Sequence, residues 1–282
     1  QPWLPSVAAV TTQPSSLDPL ATDFVVFGDA RTNLDVAARV IAALVEEAPD
    51  FVIATGDYVN DGGNVEEWVA FRKLIQPLMG SAPLYAAIGN HDRQGRGRRV
   101  EHFRDTFKPH KGPHGERYYF VDRGALRLIV LDSNTYANAD QTEWLTNTLH
   151  AGAKLRQQMF VVMHHPVYSI ALHGGHAAIR EHWAPLFEHY GVQAVFSGHD
   201  HVYARAEAGG VRYFVTGGAG APLYGKSRNP DELDVAAVKH HARVHHYLRV
   251  HVVPQMIEVT AVKLDGSIIE SVRWGLVPQG DG

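Results

Sequence analysis

At 282 residues, of which 45% are apolar and 20% charged, the chain can bury a sizeable core and suits one large α/β domain with extensions. A formal net charge of −4 excludes a broad electrostatic footprint for nucleic acid or an anionic membrane, and no apolar run approaches the ~18 residues needed to span a bilayer. The lack of cysteine excludes disulfides, zinc–thiolate sites, iron–sulfur clusters and a thiol nucleophile, so any metal must be held by His, Asp, Asn or Glu.

Residues 1–23 are rich in Pro, Ser, Thr and Ala with little periodicity, which reads as a linker or extended N-terminal arm; residues 24–282 are expected to form a single domain. The chain opens on Gln1 rather than Met, and with the proline-rich arm this favours export to a periplasmic or extracellular compartment. From Asp23 onward a rhythm sets in. "FVVFGDA" (24–30) is a strand ending in Gly-Asp, "LDVAARVIAALVEEA" (34–48) has helical spacing, and "FVIATGD" (51–57) repeats the strand ending. "VEEWVAFRKLIQPLM" (65–79) is again helical and "PLYAAIGNHD" (83–92) closes a third unit. Strand, helix, strand in succession predicts parallel pairings with helices packed on the sheet, and in such sheets ligands bind beyond the carboxyl ends of the strands. "RYYFVDRG" and "ALRLIVLDS" read as strands around Gly124, followed by a helix over 140–153, the strand "MFVVMHHP" and a helix near 176–190. After "VQAVFSGHDH", four alternating stretches, "VRYFVTGG", "HHYLRVHVV", "QMIEVTAV" and "SIIESVRW", read as antiparallel strands without crossover helices. The predicted architecture is α/β, two sheets face to face with helices outside.

Five apolar runs each end in side chains able to bind a metal: Asp29, Asp57, Asn90 with His91, His164, and His199 with His201. Any one of them is explained by turn chemistry, since Gly-Asp after a strand is common; the set of five is not. Carboxylate, amide oxygen and imidazole together suit hard to borderline divalent ions. Two ions about 3.5–4 Å apart, bridged by one carboxylate, would clamp the attacking and leaving oxygens of an in-line displacement. Two divalent cations against two aspartates leave surplus positive charge, which favours a phosphate dianion and makes hydroxide available near neutral pH.

In this order and at these strand ends, "GDA", "GDYVN", "GNHD", "VVMHHP" and "SGHDH" resemble the calcineurin-like metallophosphoesterase superfamily, and "GHDHVYAR" with "HHPVY" leans toward its purple acid phosphatase-like members. The resemblance covers residues 24 to about 225 and implies a four-layer α-β-β-α sandwich of two mixed sheets flanked by helices. It implies two divalent or trivalent ions, Mn, Fe or Zn: one on Asp29, Asp57 and His201, the other on Asp57, Asn90, His164 and His199, with Asp57 as the bridge. His91 would contact the substrate phosphate and protonate the leaving group, a role worth ~10²–10⁴ in rate. The implied reaction is attack of a metal-bound hydroxide on a small-molecule phosphoester, monoester or diester. A catalytically weak phosphate-binding or regulatory protein on the same fold is the alternative.

Two departures bear on the first metal. The superfamily's usual first motif, GDxH, has a His where this sequence has Arg31. Purple acid phosphatases supply a ligand Tyr three positions after the bridging Asp; that position is Asn60, and Tyr58 is at the wrong spacing. Arg31 would either donate a forked pair of hydrogen bonds to phosphate or neutralise a carboxylate. Asn60 would be a weak oxygen ligand or, preferably, a partner of His91.

Other signals weigh less. "GAPLYGKS" (220–227) matches a phosphate-loop pattern, but no helix is expected at its Lys and Ser, and the resemblance instead puts this glycine-rich loop near the metals. "DRQGRGRR" (92–99) places four arginines after His91, either a solvated loop or a recognition surface for an anionic substrate tail. His173 and His176 are candidates to face the substrate, and His165, before Pro166, reads as structural. The histidine-rich stretch 238–251 reads as a half-exposed strand rather than an independent metal site.

Overall fold

The structure is a computed structural model in which residues 21–95, 99–109 and 117–275 are described. Its first half contains β1 (Thr22–Phe27), α1 (Leu34–Glu46), β2 (Phe51–Ala54), α2 (Val65–Ser81), β3 (Leu84–Ala86), α3 (Glu101–Phe107), β4 (Tyr119–Arg123), β5 (Leu126–Val130) and α4 (Ala139–Lys154). Then come β6 (Gln158–Val162), α5 (Ala177–His189), β7 (Ala194–Ser197), β8 (Tyr203–Ala208), β9 (Val211–Thr216), α6 (Glu232–Ala237), β10 (Val238–Ala242), β11 (His246–Val253), β12 (Met256–Lys263) and β13 (Ile268–Gly275).

Two mixed sheets result, ordered β13-β12-β11-β1-β2-β3 and β10-β8-β9-β7-β6-β5-β4. Strand β1 explains the layering. Its alternate side chains point to opposite faces, and both faces are covered: Val25 and Phe27 pack with Val40 and Leu44 of α1 and Trp68 and Phe71 of α2. Phe24 and Val26 point the other way, into a core shared with the second sheet, where Phe24 meets Phe160 and Phe196 edge-on at 5.7 and 6.1 Å. The second sheet's outer face, Ile129, Val161 and Val195, is closed by Leu145 and Leu149 of α4 and Trp183 and Phe187 of α5. Each such fully buried side chain contributes roughly 1.5–3 kcal/mol, so a helix–sheet–sheet–helix stack follows from strands that are apolar on both faces.

Helix starts are marked by side chains that accept otherwise unpaired N–H groups: Asn33 for α1, Asn64 for α2 and Asn138 for α4. Strand β1 begins two residues before the expected boundary at 24, with Thr22 opposite Val252; residues 1–20 of the expected arm lie outside the described residues. The register continues across the sheet, Val252 opposite Ile257 and Ile257 opposite Trp274. The region after His201 is not purely antiparallel, because β9 pairs parallel to β7 as well as antiparallel to β8. Residues 246–253 form a mostly buried strand, not a half-exposed one: Leu248, Val250 and Val252 face the inter-sheet core. No helix among the described residues is long and apolar enough to cross a membrane.

Candidate metal centre

The parallel strands β1, β2 and β3 of one sheet and β6 and β7 of the other deliver their polar ends to one rim. The backbone there is unusual. Asp29, Asp57 and His199 all adopt left-handed conformations, with φ of 60°, 57° and 67°, which cost of order 1–3 kcal/mol each and persist where the surroundings enforce them. The glycines of the motifs are what lets the strands approach so closely. A Cβ on Gly89 would lie 2.1 Å from Asp57 Oδ1, and one on Gly198 would lie 2.2 Å from Asp29 Oδ2.

Asp92, to which the sequence reading gave no role, ties these loops together. Its buried carboxylate accepts the N–H groups of Asp57 (2.9 Å), Tyr58 (2.8 Å) and Gly89 (2.8 Å). Burial, and then the neighbouring Asp57 carboxylate, push its pKa up to about 7 against those bonds. The available signal was its place in "GNHD": an acid beside two motif residues with no chemistry of its own.

The donor geometry has the property a cation site needs. His164 Nδ1 lies 2.9 Å from the Thr55 carbonyl, which can only accept, so that nitrogen carries the proton and Nε2 presents a lone pair. That Nε2 lies 3.0 Å from Asn90 Oδ1 and 3.3 Å from Asp57 Oδ1, and His199 Nδ1 lies 3.0 Å from the same amide oxygen. In the neutral ring, His164 Nε2 thus faces oxygens that also accept, an arrangement satisfied by a proton on that nitrogen or by a metal ion between the groups. Burial alone would lower the His164 pKa, but the Asp57 and Asp29 carboxylates outweigh it and raise it; the His199 pKa is depressed by burial and by His164. Two imidazoles, an amide oxygen and a carboxylate fit a borderline divalent ion.

On the other side of Asp57, the residues Asp29, Asp57 and His201 each offer an atom within 4.8 Å of the others. His201 Nε2 is 3.4 Å from Asp29 Oδ1, and its Nδ1 is held by the Pro222 carbonyl at 2.7 Å. Arg31 is turned into this group rather than toward open space. Its Nε donates to Asp57 Oδ2 at 3.3 Å and its Nη1 to Asn60 Oδ1 at 3.2 Å. His91 stands at the rim, with Nε2 4.0 Å from Asp57 Oδ2. Its Nδ1 meets the main-chain carbonyl of Asn60 at 2.7 Å, so Asn60 does partner His91, but through its backbone: the Asn60 side chain is taken by Arg31 and by Thr32, at 2.7 Å.

His173 is exposed, with its ring 4.6 Å from that of His199. His176 caps α5, its Nδ1 accepting from Ile179 N–H, and its ring is half-buried, 5.7 Å from that of His165. His165 shares a 2.9 Å hydrogen bond with Ser133 Oγ, and burial depresses its pKa to about 2. The 220–227 loop begins no helix; instead Tyr224 stacks on His201, centroids 4.0 Å apart at 22°, a contact the sequence gave no means of finding. Of the arginine-rich run, Arg96 and Arg98 lie outside the described residues, while Gln94 and Arg99 are joined by backbone hydrogen bonds of 2.8 and 3.4 Å. Among the described residues the 238–251 histidines form no metal-binding group.

Two mixed sheets thus lie between helix layers, with Asp, Asn and His gathered where parallel strands end, a donor set suited to a divalent ion. The chain belongs to the calcineurin-like phosphoesterase family, whose model matches residues 22–203. It is 27% identical to purple acid phosphatase 22 of Arabidopsis thaliana over 202 residues, 65% of this chain and 45% of that protein. It is 25% identical to the human serine/threonine-protein phosphatase CPPED1 over 221 residues, 71% of this chain and 67% of that one. The chain thus spans less than half the length of the plant enzyme. Its fold is shared with purple acid phosphatase PPD1 of yellow lupin (TM-score 0.76, 18% identity, 90% of this chain and 53% of that one). It is also shared with GAP50, described as the anchor in the inner membrane complex of Plasmodium (TM-score 0.74, 14% identity, 92% and 90%).

Proposed function

We propose that this chain hydrolyses phosphoesters, monoester or diester, at a metal held by Asp57, Asn90, His164 and His199. The observation that carries the reading is the convergence of His164 Nε2 and His199 Nδ1 on Asn90 Oδ1, each at 3.0 Å, beside the Asp57 carboxylate, 3.3 Å from His164 Nε2. A Mn, Fe or Zn ion bound there would polarise a phosphoryl oxygen and lower the pKa of a water.

The chain's own residues supply the rest. Thr55 and Pro222 carbonyls hold the His164 and His201 tautomers, so both Nε2 atoms face inward. The Asn60 carbonyl holds the His91 Nδ1 proton and leaves Nε2 at the rim, where it would deliver a proton to the departing alkoxide oxygen. His173, exposed beside His199, is a candidate to meet the substrate. A second ion at Asp29, Asp57 and His201 was expected from sequence; Arg31, in contact with two of those three, bears on it.

The test is turnover of p-nitrophenyl phosphate and bis(p-nitrophenyl) phosphate. We expect at least one ester to be cleaved, the activity to vanish with chelator, and Mn to restore it. Protein that carries metal at the four named residues yet cleaves neither ester would favour the second reading, a phosphate-binding or regulatory protein. The observation in favour of that reading is the arginine inside the other half of the site.

A further inference from the structure

The Asp29, Asp57 and His201 group has the spacing of a cation site, and a cation of the chain's own already stands in it. The Arg31 guanidinium reaches three groups around this position: Nε to Asp57 Oδ2 at 3.3 Å, Nη1 to Asn60 Oδ1 at 3.2 Å, and Nη2 to His201 Nε2 at 3.4 Å; Nη1 also lies 3.5 Å from the neighbouring Thr32 Oγ1. His201 Nδ1 is committed to the Pro222 carbonyl, so its Nε2 is an acceptor and the arginine N–H is its donor. The electron pairs through which Asp57 and His201 would bind an ion therefore both face guanidinium nitrogen. Tyr224 stacks on His201, and the arginine side chain is only 12% exposed.

An ion ~2.0–2.2 Å from these donors would have to displace the guanidinium or sit against it, like charge on like charge. Neither position expected to complete the shell offers a replacement: position 31 carries no imidazole, and Asn60 spends its oxygen on Arg31 and Thr32. We propose that Arg31 is the resident cation of this position, so that the chain binds one transition-metal ion, at Asp57, Asn90, His164 and His199, and not two. The arginine then balances Asp57 from one side while the single ion balances it from the other. The inference rests on the metal-dependent reading above, but its test needs no turnover.

Protein stripped with chelator and titrated with Mn or Zn is to be measured by calorimetry and by elemental analysis after gel filtration. One ion per chain is expected for the native sequence and two for Arg31→His, which replaces the guanidinium with an imidazole. Two ions on the native chain, or one on Arg31→His, would overturn the proposal. Anomalous scattering from Zn-soaked crystals of the native protein supplies an arm that needs no variant. A peak beside Asn90, His164 and His199 with none beside Asp29 and His201 is expected, and a second peak sinks the idea. No ion at either position would overturn the metal-dependent function as well, whereas two ions with normal turnover would remove only the arginine inference.

Discussion

Asn90 is the side chain on which both imidazoles of the proposed centre converge, each at 3.0 Å from its amide oxygen, and its neighbours show how little freedom the rim allows. His91 is held twice, through its N–H to Asp57 Oδ1 at 3.0 Å and its Nδ1 to the Asn60 carbonyl. If it is the proton donor, His91→Ala should lower kcat by ~10²–10⁴ toward a poor leaving group such as phenol. The loss should be far smaller toward dinitrophenol. Equal losses across a leaving-group series, or none, would remove that role. Gly89 allows a different check. An alanine Cβ there would lie 2.1 Å from Asp57 Oδ1 and 2.3 Å from the Asp57 nitrogen, with neither group free to retreat. Gly89→Ala should cost about 1–3 kcal/mol of stability and weaken metal affinity along with it, measurable by chemical denaturation and metal titration on the same sample. Unchanged affinity would mean that the Asp57 carboxylate is not a ligand.

Among the elements, α2 reaches furthest into the site. Its cap residue Asn64 accepts from Glu66 and Glu67 N–H, and Glu67 returns a carboxylate to Asn64 Nδ2 at 3.1 Å, a reciprocal cap of the kind that ends helices cleanly. The other Glu67 oxygen accepts the Asn60 N–H at 2.6 Å, and Asn60 is the residue whose carbonyl holds His91. Glu67→Ala should therefore cost about 1 kcal/mol in thermal stability and also reduce kcat selectively for poor leaving groups, like a muted His91 substitution. A stability loss with an unchanged leaving-group profile would break the link between cap and rim. The sequence made the strand ends legible because Gly followed by Asp, Asn or His after an apolar run is a local pattern. It was blind to α3 and α6, of seven and six residues, because less than two turns give no usable period. It also missed the partners of the motif residues: the Thr55 and Pro222 carbonyls and the Asp57 and Tyr58 N–H groups on Asp92 belong to contacts 21 to 109 positions apart in the chain. The inward turn of Arg31, between the two roles left open for it, was likewise decided by geometry and not by residue type.

For the molecule as a whole, the proposed ligands come from both sheets, Asp57 and Asn90 from one and His164 and His199 from the other. A bound ion would fasten the two halves of the inter-sheet core. Saturating metal at ~100 times its Kd should add about 2.7 kcal/mol, so chelator should lower the melting temperature by several degrees, and His164→Ala should abolish the difference. Calorimetry with and without chelator decides it; identical transitions would count against an ion spanning the sheets. The register of the first sheet carries a consequence for handling the protein. Thr22, Val252, Ile257 and Trp274 line up across four neighbouring strands, so the start of β1 and the finish of β13 share one edge, opposite to Asp29 and Asp57. At ~4.8 Å per strand spacing they are roughly 14 Å apart, within reach of a bridging peptide of about five residues. A tether, a fused domain or a circular permutation made at that edge would leave the opposite mouth unobstructed.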